Sequence, residues 1–291
     1  MSWILLALGA TLIWTIINII DKFLADNKIN NIKYATFISG ITVFAIFLIP
    51  TLIKWEISLA PKVIIFGILG GLFYNFGVWL YYKALQMEEV SRFVPMLSMN
   101  TIFVAILAFA FLGERLSIHA YIGMFMIVLG TILISIKNVK NSVKFSSVIF
   151  LTLAITLFSA FQITSVKAAT SNADIWSVLF WVGIGTATSA ITMMIVNKEK
   201  ISHKDKQVTK QLIPSISLST GAYFMFIVAL SKGPSSLVTA ILASKYIFVF
   251  LLATVITYWH PEVIKEQINR RALAQKAFAT FTVVVGVLLV I

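Results

Sequence analysis

Charged residues are scarce in this chain of 291 residues: they make up 12% of it, against about 25% in a typical soluble domain. Cysteine is absent, which excludes any disulfide framework and removes the usual clue to the redox compartment. Acidic residues are the rarer charged type, 11 against 23 Lys and Arg. Because 59% of the residues are hydrophobic and the mean hydropathy is +0.97, the composition indicates an integral membrane protein and excludes a soluble globule.

Motifs for nucleotide hydrolysis and for metal binding are also missing. The phosphate-loop pattern GxxxxGK[ST] does not occur, and Gly233-Pro234-Ser235-Ser236 has neither its spacing nor its lysine. His119, His203 and His260 are dispersed, without the HExxH or any comparable ligand spacing. We therefore expect no ATP hydrolysis, no metal, no cofactor and no enzymatic activity, so that any transport runs on a gradient or on exchange.

Ten stretches are apolar enough to cross a membrane, which takes about 20 residues each. Together they use about two thirds of the chain and leave connections too short for a folded aqueous domain. The predicted fold class is all-α, an integral membrane protein with ten transmembrane helices. The predicted spans are 3–24, 34–53, 63–85, 93–112, 120–136, 145–168, 175–196, 211–231, 236–258 and 273–291.

The net charge of +12 is distributed by side of the membrane. Of the 23 Lys and Arg, 17 lie in or beside the connections after spans 1, 3, 5, 7 and 9. The positive-inside rule places these loops in the cytoplasm of a multi-pass protein of the cell membrane. Charges that flank apolar spans form no basic face on a folded domain, so no nucleic-acid partner is expected. The opposite side has only five: Lys54, Lys62, Arg115, Lys167 and Lys232.

Sliding the chain against itself by 145 residues aligns its two halves, in one register from span 1 to span 9. This predicts two repeats, residues 1–140 and residues 145–291. Because each repeat has five spans, an odd number, the second must enter the membrane with the opposite orientation. Inverted repeats form a site near the middle of the membrane, which rocking of the halves can expose to either side. Matched pairs include Lys22 with Lys167, Gly40 with Gly185, and Ala84-Leu85 with Ala229-Leu230.

Several short motifs carry a family resemblance: Ala84-Leu85, the run 91–112, Gly113-Glu114-Arg115-Leu116, Gly123 and Gly130. This pattern is similar to that of the EamA family in the drug/metabolite transporter superfamily. The resemblance implies a duplicated ten-helix fold and a role in solute export. Members of the superfamily export amino acids, metabolites or drugs, and relatives carry sugar phosphates or nucleotide sugars, a range too wide to choose a substrate by analogy.

The chain also departs from the family pattern. Relatives often carry a proline in spans 4 and 9, where this chain has Thr101 and Tyr246, although Pro95 could bend span 4 earlier. The second half lacks the Gly-Glu signature. Well-studied relatives are drawn with cytoplasmic termini, whereas the count of basic residues places both termini outside.

Lys245 lies inside the apolar stretch 236–258, about 14 Å of helix from the nearer end, too far for its side chain to reach water along the helix. A charge there costs about 2.5 to 3.5 kcal/mol on insertion scales, so it must face protein or water. We expect no carboxylate partner, because Asp21 falls near the end of span 1. The prediction is a cation that receives a carboxylate or phosphate of the substrate, or a lysine that releases its proton when substrate binds. A neutral amine bonded to backbone carbonyls is the alternative.

Further polar and aromatic residues at mid-depth are expected to complete a substrate-binding cavity. Asn100 is equivalent to Lys245 under the 145-residue shift; a hydrogen bond between helices is its alternative role. Lys22 and Lys167, at helix ends, are interpreted as topological anchors. The remaining candidates are Trp14, Asn18, Tyr74, Asn75, Gln162, Trp181, Tyr223, Ser244 and Tyr246.

The predicted function is a secondary active transporter, a metabolite or amino-acid-type exporter, that moves a small anionic or zwitterionic solute by alternating access. Its expected partners are the solute, the membrane lipids and a coupling ion such as H⁺ or an exchange substrate. Two alternatives stay open. One is an exporter of neutral or cationic compounds that are recognised by aromatic side chains. The other is a lipid-handling enzyme or a non-transporting membrane protein.

Overall fold

The computed structural model describes residues 2–54, 57–113, 117–139, 142–145, 148–196, 201–267 and 269–290. A short antiparallel hairpin, β1 (Ile136–Val139) and β2 (Ser142–Phe145), connects the two halves of the chain. The other elements within these residues are helices: α1 (Ser2–Asn27), α2 (Ile32–Lys54), α3 (Pro61–Met87), α4 (Val90–Met96), α5 (Met99–Leu112), α6 (Ile118–Ser135), α7 (Ile149–Thr170), α8 (Ile175–Val196), α9 (His203–Lys232), α10 (Ser235–Ala243), α11 (Lys245–Trp259) and α12 (Arg270–Val290).

Ten helical segments of the described chain are long and apolar enough to cross a membrane, with α4–α5 and α10–α11 each forming one span. The predicted fold class, an all-α multi-pass membrane protein, is confirmed. Two predicted starts differ most from the structure. Span 6 begins at Ile149, because Phe145 pairs with Ile136 in the hairpin, and the helix of span 8 begins at His203, eight residues before the predicted start. Glu114, Arg115 and Leu116 of the family motif lie outside the described residues.

Large apolar side chains cover the outside of the helix bundle. Leu5, Phe150 and Ile195 are between 69% and 78% exposed in the absence of a membrane. In water such a surface would be unfavourable, whereas hydrocarbon accepts it and leaves the helices to satisfy their own backbone hydrogen bonds. The polar groups of the bundle therefore have to be sought inside it.

Glycine lets α3 and α8 approach closely. A β-carbon added at Gly71 would overlap the carbonyl oxygen of Val182, and one at Gly185 would overlap that of Ile68. Small residues at helix contacts are the usual way in which membrane helices pack, because apolar lipid provides little hydrophobic drive to bring helices together. This contact places α3, which lines the interior, against the second half of the chain.

Spans 4 and 9 are both interrupted near their middle, at positions that agree to within two residues under the 145-residue shift. In span 4 the last turn of α4 closes with the tighter three-residue bonds of a 3₁₀ turn, from Ser98 N to Pro95 O at 3.0 Å. Pro95 lies inside α4, and its missing N–H and its ring disturb the turn that precedes it, so it does not account for the 3₁₀ turn that follows it. Span 9, predicted as continuous, breaks without a proline: the Ser244 hydroxyl donates to Ile241 O at 2.7 Å and competes with the helical bond.

Two lysines, the buried Lys22 and the half-buried Lys167, stabilise the ends of other helices. Lys22 donates to the carbonyl oxygens of Leu85 at 2.6 Å and Glu88 at 2.8 Å, where α3 ends. Lys167 donates at 2.7 and 2.9 Å to the carbonyls that lie 145 residues after those two, where α9 ends. The last carbonyls of a helix have no partner inside it, so these ammonium groups satisfy them. The interpretation of both lysines as topological anchors is therefore incomplete.

Candidate functional site

A cavity of about 230 Å³ lies inside the bundle. Its walls come from both halves of the chain, namely α1, α2, α3, α5, α7, α9, α10 and α11. Pockets for drug-sized ligands typically occupy about 300 to 1,000 Å³, so this cavity suits a smaller solute. Eight of the predicted residues line it: Trp14, Asn18, Tyr74, Asn100, Gln162, Tyr223, Lys245 and Tyr246.

Three predicted site residues, Asn75, Trp181 and Ser244, do not line the cavity. Asn75 follows Tyr74 and Ser244 precedes Lys245, both of which line it, and consecutive side chains on a helix point about 100° apart. Asn75 is fully buried, and its amide atoms have no hydrogen-bond partner among the described residues. The Trp181 indole donates to Ser58 O at 3.0 Å, and the Ser244 hydroxyl is engaged at the break of span 9.

Lys245 is the first residue of α11, so the break in span 9 places it at the start of a helix within the membrane. Its Nζ lies 5.5 Å from the ring centroid of Trp14 and 5.8 Å from that of Tyr246, within the range of cation–π attraction. Among the described residues, no hydrogen bond or ion pair involves this ammonium. The alternative of an amine tied to backbone carbonyls finds no support there.

Aromatic side chains form the middle of the cavity and are held in place by each other and by hydrogen bonds. Tyr74 and Tyr223 stack at a centroid distance of 4.5 Å and an interplanar angle of 7°. Gln162 donates to the Tyr223 hydroxyl at 3.0 Å, and the Trp14 indole donates to the Ser219 hydroxyl at 3.2 Å. The rings therefore present fixed apolar surface to whatever occupies the space between them.

Asp21 also lines the cavity, but within the described residues it forms no ion pair with Lys245, so the expectation that this lysine has no carboxylate partner stays a prediction. Helix α1 continues to Asn27, so Asp21 lies inside the helix and not at its end. Its side chain is buried, with 7% of the residue exposed, and it accepts a hydrogen bond from the Ser215 hydroxyl at 3.3 Å. The signal was available in the sequence: Asp21 follows Trp14 by seven residues and shares its helix face.

An ionic cluster, formed by Glu88, Glu89, Arg92, Glu266 and Lys276, lies away from the cavity wall. The Nζ of Lys276 lies 2.5 Å from Glu89 and 2.9 Å from Glu266, and Arg92 Nε lies 3.8 Å from Glu88. Lys276 is 1% exposed. The cluster joins the start of α4 in the first half to α12 and the connection before it in the second half, so its charges serve to hold these elements together.

The two carboxylates beside Lys276 respond differently to their surroundings. Burial raises the pKa of Glu266, and the negative charge of Glu89 raises it further against the opposing effect of Lys276. For Glu89, burial by itself favours a higher pKa, but the positive charges of Lys276 and Arg92 outweigh it and the pKa is lowered. Three carboxylates share two cations in this cluster. The carboxylate with the raised pKa, Glu266, is the one that binds a proton most readily.

Known proteins resemble this chain in sequence and in fold. Residues 1–136 match the EamA-like transporter family. A protein of Archaeoglobus fulgidus named "Uncharacterized transporter" is 32% identical over 168 residues, which are 55% of this chain and 56% of that protein. The chain thus spans little more than half the length of the curated relative that it matches.

A solved structure described only as the "Crystal structure of protein" covers 99% of this chain and 97% of its own, with a TM-score of 0.67 and 15% sequence identity. At this identity the likeness concerns the fold alone, and it extends over the whole chain. The sequence match is narrower. The predicted resemblance is confirmed: residues 1–136, a little under half of the chain, match the EamA-like transporter family.

Proposed function

We propose that this chain is a secondary active transporter that moves a small organic anion or zwitterion across the cell membrane by alternating access. The observation that carries the proposal is the Lys245 ammonium, which lines the cavity and forms no ion pair with any described residue. A buried cation without a counter-ion is costly, and a ligand that supplies a carboxylate or phosphate removes that cost. The family match supports transport as the activity, in preference to catalysis.

Two structural features support alternating access. Interrupted helices at the substrate site are typical of transporters built from inverted repeats, and here spans 4 and 9 break beside Asn100 and Lys245. The hydrogen bonds of Lys22 and Lys167 also recur at a spacing of 145 residues. Both favour the division into repeats 1–140 and 145–291. We further propose that the loops after the odd-numbered spans are cytoplasmic, as the basic residues favour.

Binding of simple anions to the purified protein tests the proposal. A ligand that binds only the folded state raises its apparent stability, so hexanoate and inorganic phosphate should raise the melting temperature. Lys245→Ala should abolish the shift caused by these anions. Lys245→Arg should keep the charge but weaken the shift, because a planar guanidinium does not fit a site shaped for an ammonium. Lys210→Ala, an exposed lysine of α9, is the matched control and should behave as the wild type.

The same variants should be reconstituted into vesicles for uptake measurements with the anion that gives the largest shift. We expect uptake by the wild type and by Lys210→Ala, and none by Lys245→Ala. Equal anion binding and uptake by Lys245→Ala and the wild type would contradict the proposed role of this lysine. Cavity substitutions without any effect on a measured flux would instead favour a protein that does not transport.

A further inference from the structure

The cavity contains two groups of opposite charge, at different levels along α1. Lys245 Nζ lies over Trp14, and Asp21 lies two helical turns further along the same face of α1. Seven residues of α-helix correspond to about 10 Å. Within the described residues no ion pair joins Asp21 to a basic side chain, so the two charges do not neutralise each other by direct contact.

The surroundings of Asp21 leave room for a further hydrogen-bond donor. An ionised carboxylate offers about four acceptor positions, and the described side chains supply the Ser215 hydroxyl at 3.3 Å, with the Tyr81 hydroxyl also within hydrogen-bonding reach. Tyr81, at the same end of the cavity, donates to Asn18 Oδ1 at 2.9 Å. This end of the cavity is therefore polar and rich in acceptors, which suits a protonated amine with its N–H donors.

Much of the cavity wall is aromatic. Trp14, Tyr74 and Tyr223 line it, and Phe226 lies 5.6 Å from the ring of Trp14. Apolar ring faces stabilise a hydrocarbon chain by removing its surface from water. The cavity thus offers a cation, an anion and aromatic surface for the chain that joins the two ends of a solute.

Charge balance also favours a solute with both signs. With Lys245 and Asp21 ionised, the empty cavity has no net charge, and a zwitterion leaves that balance unchanged. A monoanion would satisfy Lys245 but leave Asp21 buried without a counter-charge, which is costly. Because about 10 Å of helix separates the two levels, a solute whose amine and carboxylate are several methylene groups apart suits both groups better than one that carries them on the same carbon atom.

We propose that the cavity selects linear solutes that carry an anionic group at one end and a protonated amine at the other, with Asp21 as the amine-binding residue. This inference rests on the proposed function, because Lys245 provides the pole that binds the anion. It deepens that function by naming the substrate class: ω-amino acids with a chain of several methylene groups, in preference to α-amino acids.

Two isomers test the inference with wild-type protein. 6-Aminohexanoate and 2-aminohexanoate have the same atoms and charges and differ only in where the amine is attached. We expect 6-aminohexanoate to bind about tenfold or more tightly than 2-aminohexanoate, hexanoate or hexylamine in calorimetric titrations, because only it reaches both poles. Equal affinity for the two isomers would overturn the inference. Failure of all of the carboxylates to bind would instead overturn the proposed function.

Variants then assign the amine-binding pole. Asp21→Asn should lower the affinity for 6-aminohexanoate to the level of hexanoate, whereas hexanoate should bind at least as tightly as it does to the wild type, because no carboxylate is then left without a counter-charge. The retained binding of hexanoate also shows that the variant is folded. Asp26→Asn is the matched control, since Asp26 lies on the same helix but pairs with Lys22 at 2.9 Å, outside the cavity wall. An equal loss of both ligands in Asp21→Asn, or proton uptake by Asp21 without any preference for the amine, would overturn the inference.

Discussion

Lys245 and Lys276 are both lysines within predicted spans, but the structure gives them opposite surroundings. Lys276 is 1% exposed and touches two carboxylates, at 2.5 and 2.9 Å. Lys245 has aromatic rings at 5.5 and 5.8 Å and a cavity beside it. A buried cation that is paired with carboxylates of other segments stabilises the packing of those segments. A cation that faces an open cavity is available to bind a ligand. The difference separates a structural lysine from a candidate binding residue of the same type.

The largest effect in this comparison is expected from Lys276→Ala. Removal of one member of a buried ion pair leaves the other charge uncompensated and typically costs about 3 to 5 kcal/mol. We therefore expect a marked fall in the free energy of unfolding, measured by thermal or chemical denaturation in detergent. Lys265→Ala, an exposed lysine of the preceding connection, is the control. Similar melting temperatures for the two variants would show that the ionic cluster does not stabilise the fold.

Substitution of the two lysines that cap helices should have an intermediate effect. Lys22→Met and Lys167→Met each leave two carbonyl oxygens without their donor, which costs about 1 to 3 kcal/mol. Lys22→Met should lose more stability than Lys167→Met, because Asp26 loses its partner as well. Denaturation of both variants under one set of conditions measures the difference. A loss for only one of them would contradict an equivalent role in the two halves.

The ionic cluster also predicts a dependence of stability on pH. Burial raises the pKa of Glu266 above its ordinary value of 4.5. Its contribution to the free energy of unfolding is therefore fully present below pH 4.5 and is lost as the pH rises through the pKa of the folded state. Glu89 has a lowered pKa, so it stabilises the fold at higher pH, and this stabilisation is lost as the pH falls through its folded-state pKa. The side chain of Glu266→Gln resembles the protonated acid and does not titrate. In this variant the loss of stability with rising pH should therefore vanish. Melting temperatures from pH 4 to pH 8 measure this, and an unchanged slope would contradict it.

The smallest effect on stability is expected from Lys245→Ala. No ion pair within the described residues is lost, and the substitution removes a charge that is costly to bury, so the melting temperature should match or slightly exceed that of the wild type. Anion binding should nevertheless be lost. A fall in stability as large as that of Lys276→Ala would place Lys245 with the structural lysines and remove the distinction between the two.

Most of the architecture was accessible from the sequence, since apolar stretches of about 20 residues mark helices wherever the solvent is hydrocarbon. The break in span 9 was not accessible, because no proline marks it and a serine hydroxyl accompanies it instead. The start of span 6 was predicted too early, because Phe145 is apolar but takes part in a hairpin.

The candidate site was predicted in part. Eight of the eleven predicted residues line the cavity, whereas Asn75, Trp181 and Ser244 point elsewhere. Depth in the membrane can be estimated from position in a span, but the face of a buried helix that meets a cavity depends on how its neighbours pack. Asp21 is near the end of the apolar stretch in sequence, but α1 continues beyond that stretch to Asn27, which places Asp21 well inside the helix.

By itself, the sequence determined that this chain lies in a membrane, crosses it ten times and carries a cation where a charge is costly. These properties follow from composition and spacing, because hydrocarbon admits only helices with satisfied backbones and few charges. The tertiary structure alone decided which charges meet. It paired Lys276 with two carboxylates and left Lys245 and Asp21 at separate ends of one cavity, because contacts between distant segments depend on the packing of whole helices.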